Sequence, residues 1–147
     1  IARALVLVIF IPLVIPLAII GIVSFLVYRT VLYLLIWLVW LPRGKDVLYV
    51  SSDSPIWQQY MADQILPLVK NRAVVLNWSE REKWFRYSFS VRVFRAFGGS
   101  REFNPLVVVF RPLRRARCFR FLPAFKDWKH GNTGSVEQLR RELMSSL

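Results

Sequence analysis

Residues 4–28 contain no charged side chain across 25 positions, and that run constrains the chain more than any other feature. As a helix it would extend about 37 Å at roughly 1.5 Å per residue, against a bilayer hydrocarbon thickness of roughly 30 Å. It can therefore cross a membrane with tilt. Pro12, Pro16 and Gly21 interrupt it, and membrane helices tolerate such residues where neighbouring groups satisfy the freed carbonyls. The run is far longer than the apolar core of a secretory signal, and no small-x-small cleavage site follows it.

Residues 31–41 form a second apolar stretch, too short to cross alone, and Tyr33, Trp37 and Trp40 within it are residue types that favour the headgroup level. Two layouts follow. Either one helix crosses and a second lies in the interface, or residues 4–41 make a hairpin that bends near Gly21 and returns to the same side. Arg29 and Thr30 would mark the water boundary in the first layout, and Arg29 can also snorkel or pair within a larger assembly. Arg29, Trp37 and Trp40 are accordingly expected to contact headgroups or a partner. The anchor is assigned to residues 1–42, and one domain of common size to residues 46–147.

Charge is segregated from this anchor. Of 21 Lys and Arg residues only Arg3 and Arg29 precede Leu41, and all nine acidic residues follow it. Arg43 and Lys45 come directly after the apolar part, so the positive-inside bias puts the domain on the cytoplasmic face. Because the chain opens on Ile1 rather than Met, further residues are expected before it, and their charges bear on this orientation. The single Cys118 excludes an intrachain disulfide and any cysteine-based metal cluster, which fits a reducing compartment. No metal site, cofactor site or catalytic constellation is found, and the lone His130, beside Gly131 and Asn132, reads as a solvated turn.

Beyond Pro42 the chain alternates in type. Val47-Leu48-Tyr49-Val50 reads as a buried strand. Ser54 is placed as the N-cap and Pro55 as the first position of an amphipathic helix reaching about Val69, with Trp57, Tyr60, Met61, Ile65 and Leu68 on one face and Pro67 disturbing its last turn. A second strand covers 72–78. Residues 80–97 carry both a strand-like and a helix-like period, and their length favours helix, ended by Gly98-Gly99-Ser100. Asn104-Pro105 leads into a third strand at 106–110. Residues 114–121 make a fourth whose arginines suit a charged sheet edge. Ser135 and Gln138 form an expected capping box for a final helix with Val136, Leu139, Leu143 and Leu147 as its apolar stripe.

The order strand, helix, strand, helix, strand, strand, helix, together with Asn104-Pro105 before an apolar strand, resembles the thioredoxin fold. The fold class read here is thus α/β: a transmembrane or membrane-hairpin helical segment followed by a thioredoxin-like βαβαββα domain. The resemblance implies that Pro105 is the cis-proline of that family and that residues 51–54 occupy the place of its redox motif. There the sequence departs from the family. Ser51 and Ser54 stand at C-x-x-C spacing, and neither can supply the thiolate that the chemistry requires.

Two local patterns remain. Ser51, Ser52 and Ser54 offer hydroxyl and N–H groups at a helix N-terminus, where phosphate or carboxylate can bind, although Asp53 would repel an anion and Ser54 is more simply a cap. Arg111, Arg114, Arg115, Arg117 and Arg120, with Lys126 and Lys129, are interleaved with Phe119, Phe121 and Trp128. For a tethered domain this points to membrane lipid or an acidic partner surface ahead of nucleic acid. Trp57, Trp78 and Trp84 are assigned to the core, while Phe94, Phe97 and Phe103 exceed what one face can bury and are assigned to partner contact. The expected function is a non-enzymatic accessory or scaffolding subunit of a larger integral membrane complex (respiratory, photosynthetic or transport). The alternatives are a membrane-surface enzyme holding a phosphate-bearing or lipid substrate at residues 51–54 and, weaker, a membrane-tethered nucleic-acid binder.

Overall fold

The computed structural model describes residues 2–99 and 105–147, with residues 2–13 described by their backbone alone. Contacts divide the chain into two compact units, Ile1–Leu35 and Ile36–Leu147.

The first unit is one helix, α1 (Ala2–Leu35). From Val14 onward its large apolar side chains are mostly exposed, Leu17, Ile20 and Ile22 each at about 60%. A helix apolar all the way round is matched to lipid rather than water. The segment Val14–Arg43 is long and apolar enough to cross a membrane. The hairpin layout does not occur: the helix passes through Gly21, where an added Cβ would meet nothing within 4 Å. One glycine costs a helix only about 1 kcal/mol, too little to break 34 residues of it. Thr30 Oγ1 donates to Leu26 O, so its hydroxyl is satisfied inside the helix.

No separate interfacial helix begins at Val31 either. Residues 31–35 complete α1, a π-helical turn Ile36–Trp40 and a 3-10 turn Leu41–Arg43 follow, and Gly44 at φ +68° stops the run, its N–H donating to Leu41 O at 2.9 Å. Pro42 is carried inside the 3-10 turn, where its missing N–H costs little, and the unit boundary falls earlier, at Leu35. Ile36 and Trp40 are core residues of the second unit. Trp40 packs edge-on against Phe89 and Phe110 at 5.2 and 6.1 Å, which corrects its expected headgroup role.

The second unit is built on a four-stranded sheet of β1 (Val47–Ser51), β2 (Ala73–Asn77), β3 (Leu106–Val109) and β4 (Arg117–Arg120) in the order β2-β1-β3-β4. β2 is parallel to β1; β3 is antiparallel to β1 and β4 antiparallel to β3. The central strands are buried along both faces, Val47-Leu48-Tyr49-Val50 and Leu106 to Val109 alike. Strand alternation then fixes two cores. Val47, Tyr49, Ala73, Val107, Val109 and Phe119 belong to one, with Met61, Ile65, Val69, Phe121, Phe125, Val136 and Leu143 packed over them. Leu48, Val50, Leu106 and Val108 point to the other, where Trp40, Phe97 and Phe110 pack together.

The helices supply those covers. Gln58–Tyr60 (α2), a π turn Met61–Ile65 and Leu66–Val69 (α3) form one helical run. The π turn has a local cause: Pro67 has no N–H to return to Asp63, and Leu66 N–H instead reaches back five residues to Met61 O. Ser54 does not cap this run. Its carbonyl accepts from Gln58 N–H at 3.0 Å across a turn at 55–57, and the N-cap position is Trp57, with no side-chain bond.

On the other face the helix expected over 80–97 is confined to α4 (Phe89–Val93) and a π turn Phe94–Gly98. Before it a 3-10 segment Trp78–Lys83 is capped by Asn77, whose side chain accepts from Ser79 N–H. Val91, Val93, Phe94 and Phe97 are buried. Phe94 and Phe97 are therefore core rather than partner contacts, because the sheet has a second face to cover. Gly99 at φ +96° ends this segment; Ser100, Phe103 and Asn104 lie outside the described residues.

Two helices close the chain. α5 (Phe121–Lys129) was not expected from the sequence, though Phe121, Ala124, Phe125 and Trp128 carry the helical spacing that announces it. α6 (Gly134–Ser146) matches the expected final helix, with Val136 and Leu143 buried and Leu139 and Leu147 partly so. The capping box does not form, because Ser135 Oγ donates to Asp127 Oδ2 on α5 and Asn132 Oδ1 accepts from Gly134 N–H instead. β4 is indeed an edge strand, but it spans only Arg117–Arg120.

Gly98 is closely enclosed in the second core: a Cβ there would lie 2.9 Å from Phe94 Cδ2 and 3.3 Å from Leu106 Cδ2. Both neighbours are buried and cannot swing into solvent. Gly98→Ala is expected to lower unfolding stability by roughly 1–3 kcal/mol through overpacking, read by denaturant titration of the detergent-solubilised chain.

Candidate functional site

The residues singled out in sequence fall at opposite ends of the two central strands. The antiparallel register sets Val50 against Leu106, so the next residues outward, Ser51 and Pro105, are neighbours at one end. At the other end Val47 pairs with Val109, and Val109 pairs with Arg117. The arginine-rich connection between β3 and β4 lies there.

At the first end the turn after β1 is closed by its own polar groups. Asp53 N–H donates to Ser79 Oγ at 2.9 Å, Asn77 Nδ2 donates to both Asp53 carboxylate oxygens at 3.0 and 3.2 Å, and Asn77 Oδ1 accepts from Ser79 N–H. Ser51, Ser52 and Ser54 are each half-buried around this knot. One backbone donor that an anion would use is thus already taken, and the carboxylate sits within the turn. Burial pushes the Tyr49 phenol above its ordinary value, with the Ser51 side chain pulling the other way. Pro105 is buried, and its carbonyl accepts from Phe121 N–H at 3.0 Å, which ties the start of β3 to the start of α5.

At the second end the arginines do not act as one patch. Alternation along β4 sends Arg117 to the face carrying α6 and Arg120 to the opposite face, where it pairs in register with Leu106. Lys126 and Lys129 belong to α5. Four arginines remain together: Arg111, Arg114, Arg115 and Arg117 line a cavity of about 200 Å³ with Val109, Ser145 and Ser146. Among the described residues no carboxylate lines it.

Two of the four are held by the end of α6. Arg111 Nε and Nη2 both donate to Ser146 O, at 3.1 and 2.9 Å, and Arg117 Nη1 donates to Ser146 Oγ at 2.7 Å. Arg72, braced by both oxygens of Asp46, adds a bond from Nη1 to Leu147 O at 2.7 Å. Cations at a helix C-terminus meet the negative end of its dipole and its unpaired carbonyls. The Arg117 guanidinium also lies 5.3 Å from the Phe119 ring centre. Arg114 and Arg115 are exposed, and their guanidinium groups bond to no described residue.

The connection carrying them contains one further anomaly. Leu113 follows Pro112 at φ +58°, a left-handed backbone that costs a leucine on the order of 1–2 kcal/mol. It is 89% exposed, the most exposed large apolar residue described. Arg114 N–H donates to Arg111 O at 3.2 Å, closing the turn beneath it. Nothing in the residue type of Leu113 signals a positive φ; the Pro112 before it is the one hint in the sequence.

The remaining expected contacts are dispersed. Arg29 lies 5.7 Å from the Phe25 ring centre within α1, and Trp37 is half-buried. The aromatic surplus expected of Phe94 and Phe97 is found at Phe85 and Tyr87 instead, which are 70% and 62% exposed and pack on each other at 5.8 Å. Trp78 and Trp84 shield the second core through edge contacts with Phe94, and Trp57 stacks on Phe125 at 4.3 Å. Cys118 sits in β4 opposite Val108, and His130 is exposed after α5. Among the described residues no three His, Cys, Asp or Glu side chains gather as a metal-binding group would require.

No family model, no curated protein and no solved structure matches this chain.

Tyr60 couples two helices and gives a pH signature. Its hydroxyl donates to Glu137 Oε1 at 3.1 Å, and burial, then the Glu137 charge and hydrogen bond, push its pKa up to about 12. The folded state therefore keeps a proton that the unfolded chain releases near pH 10, so stability is intact below pH 10 and falls as pH rises toward 12. Tyr60→Phe should flatten the loss across this window, as read by alkaline unfolding of both proteins.

Proposed function

We propose that the chain is a non-enzymatic accessory subunit of a larger integral membrane complex, in which a membrane-anchored, thioredoxin-like domain without thiol chemistry serves as a docking module. The strand order β2-β1-β3-β4, with β2 alone parallel to β1 and helices over both faces, supports the thioredoxin-like reading. So does the neighbourhood of Ser51 and Pro105, the positions of redox motif and cis-proline in that family. The observation that carries the non-enzymatic reading is what fills the motif turn: serines at both ends and, between them, an Asp53 carboxylate bonded to Asn77. A thiol-exchange site needs an activated thiolate there, and Cys118 belongs to the edge strand.

Docking is supported by two surfaces. α1 presents apolar side chains suited to lipid or to neighbouring membrane helices. The domain exposes Phe85 and Tyr87, aromatic residue types enriched where proteins meet. Arg43 and Lys45 after the anchor support the cytoplasmic face for the domain.

Extraction of the full chain in mild detergent should recover it with other integral membrane proteins, and Phe85→Ser with Tyr87→Ser should weaken that association while leaving the fold intact. A monodisperse monomer with no co-purifying protein under the gentlest conditions overturns the reading.

A further inference from the structure

We propose that the arginine cavity between β3, β4 and the end of α6 binds the phosphate of an anionic phospholipid headgroup, with Leu113 entering the apolar layer beside it. This rests on the membrane-anchored reading above and names the ligand of one of its surfaces.

The cavity is built for an anion before one arrives. Arg111 and Arg117 are oriented by Ser146, through its carbonyl and its hydroxyl, and each retains N–H groups that these bonds do not use. Ser146 Oγ in turn donates to Glu142 O, so the hydroxyl that receives Arg117 is itself fixed. Arg114 and Arg115 stand at the same cavity with no protein acceptor among the described residues. Four guanidinium groups around one space repel one another unless an anion sits among them, and planar N–H forks match phosphate oxygens in pairs. A volume of about 200 Å³ holds a phosphate group and bound water.

Leu113 selects the source of that phosphate. A leucine held at φ +58° and 89% exposed contributes nothing to the core, while asparagine or glycine would adopt the same turn with less strain. An apolar tip flanked by Arg111, Arg114 and Arg115 has the chemistry of a membrane surface, acyl chains below and phosphates around. A soluble phosphate would leave the leucine without a role. A single-stranded nucleic acid would want exposed aromatic faces for its bases, and no aromatic side chain is among the described residues that line the cavity.

The test uses the full chain in lipid-free detergent micelles, titrated calorimetrically with short-chain phosphatidic acid, short-chain phosphatidylcholine and inorganic phosphate. Phosphatidic acid should bind at least about tenfold more tightly than phosphatidylcholine, and the double variant R114Q/R115Q should lose roughly tenfold or more of that affinity. Leu113→Asn, which keeps the turn, should weaken phosphatidic acid binding and leave inorganic phosphate binding unchanged. Unaltered phosphatidic acid binding in R114Q/R115Q overturns the proposal. So does inorganic phosphate binding as tightly as the lipid with Leu113→Asn silent, which would make this a free-anion site. If R114Q/R115Q releases a co-purified protein while lipid binding is untouched, the cavity serves an acidic protein surface and the proposal fails. Absence of phosphatidic acid binding in the wild type with partners retained refutes this proposal alone; absence of partners with lipid binding present refutes the docking reading alone.

Discussion

Everything in the second unit answers to the burial of β1 and β3 on both faces. Eight consecutive-strand positions, Val47 to Val50 and Leu106 to Val109, are apolar, or tyrosine at Tyr49, and all are buried. A sheet with only one covered face would leave half of these in water, at about 1.5–3 kcal/mol for each large side chain. Helices must therefore lie on both sides. That demand explains why Phe94 and Phe97 are core, why Trp40 is drawn in from the end of the helical run after α1, and why Gly98 must lack a side chain where its backbone approaches Leu106.

The same constraint turns the end of α6 into a structural hub. α6 covers one sheet face; the carbonyls of Leu147 and Ser146 at its end accept from Arg72 and Arg111, and the Ser146 hydroxyl accepts from Arg117, so that residues beside the start of β2, the end of β3 and the start of β4 meet there. Charge-assisted bonds of this kind contribute about 1.5–3 kcal/mol each where they are partly sheltered. Three of the chain's many arginines are thereby committed to holding helix to sheet. Arg114 and Arg115, in the turn that leaves this hub, have no such duty. The basic composition is thus divided between a structural share and a share presented outward, and the division follows strand alternation and turn geometry.

Sequence periodicity was a good guide where a single partner decided burial. The apolar run of α1, the two-face burial of β1 and β3, the stripe of α6 and the charged edge at β4 could each be read because the relevant spacing lies within one element. It failed where the deciding neighbour was distant in sequence. Ser135 looks like the start of a capping box but finds Asp127 on the preceding helix, and Ser54 gives up the N-cap because the turn before it is tied across to Asn77 and Ser79. Residues 121–129 escaped notice because an arginine-rich strand runs straight into them at Arg120.

By itself the sequence determined that this chain carries an apolar segment suited to a membrane and a small α/β domain that is basic and short of thiols. Those properties follow from residue type and local spacing, which need no knowledge of the fold. Tertiary structure alone decided which arginines share a cavity, because Arg117 and Arg120 differ by three positions along a strand whose side chains alternate between faces. It also decided that Leu113 stands exposed on a left-handed turn while Trp40 is buried. Exposure and backbone sign depend on what packs against a residue, and only the assembled sheet and its helices supply that.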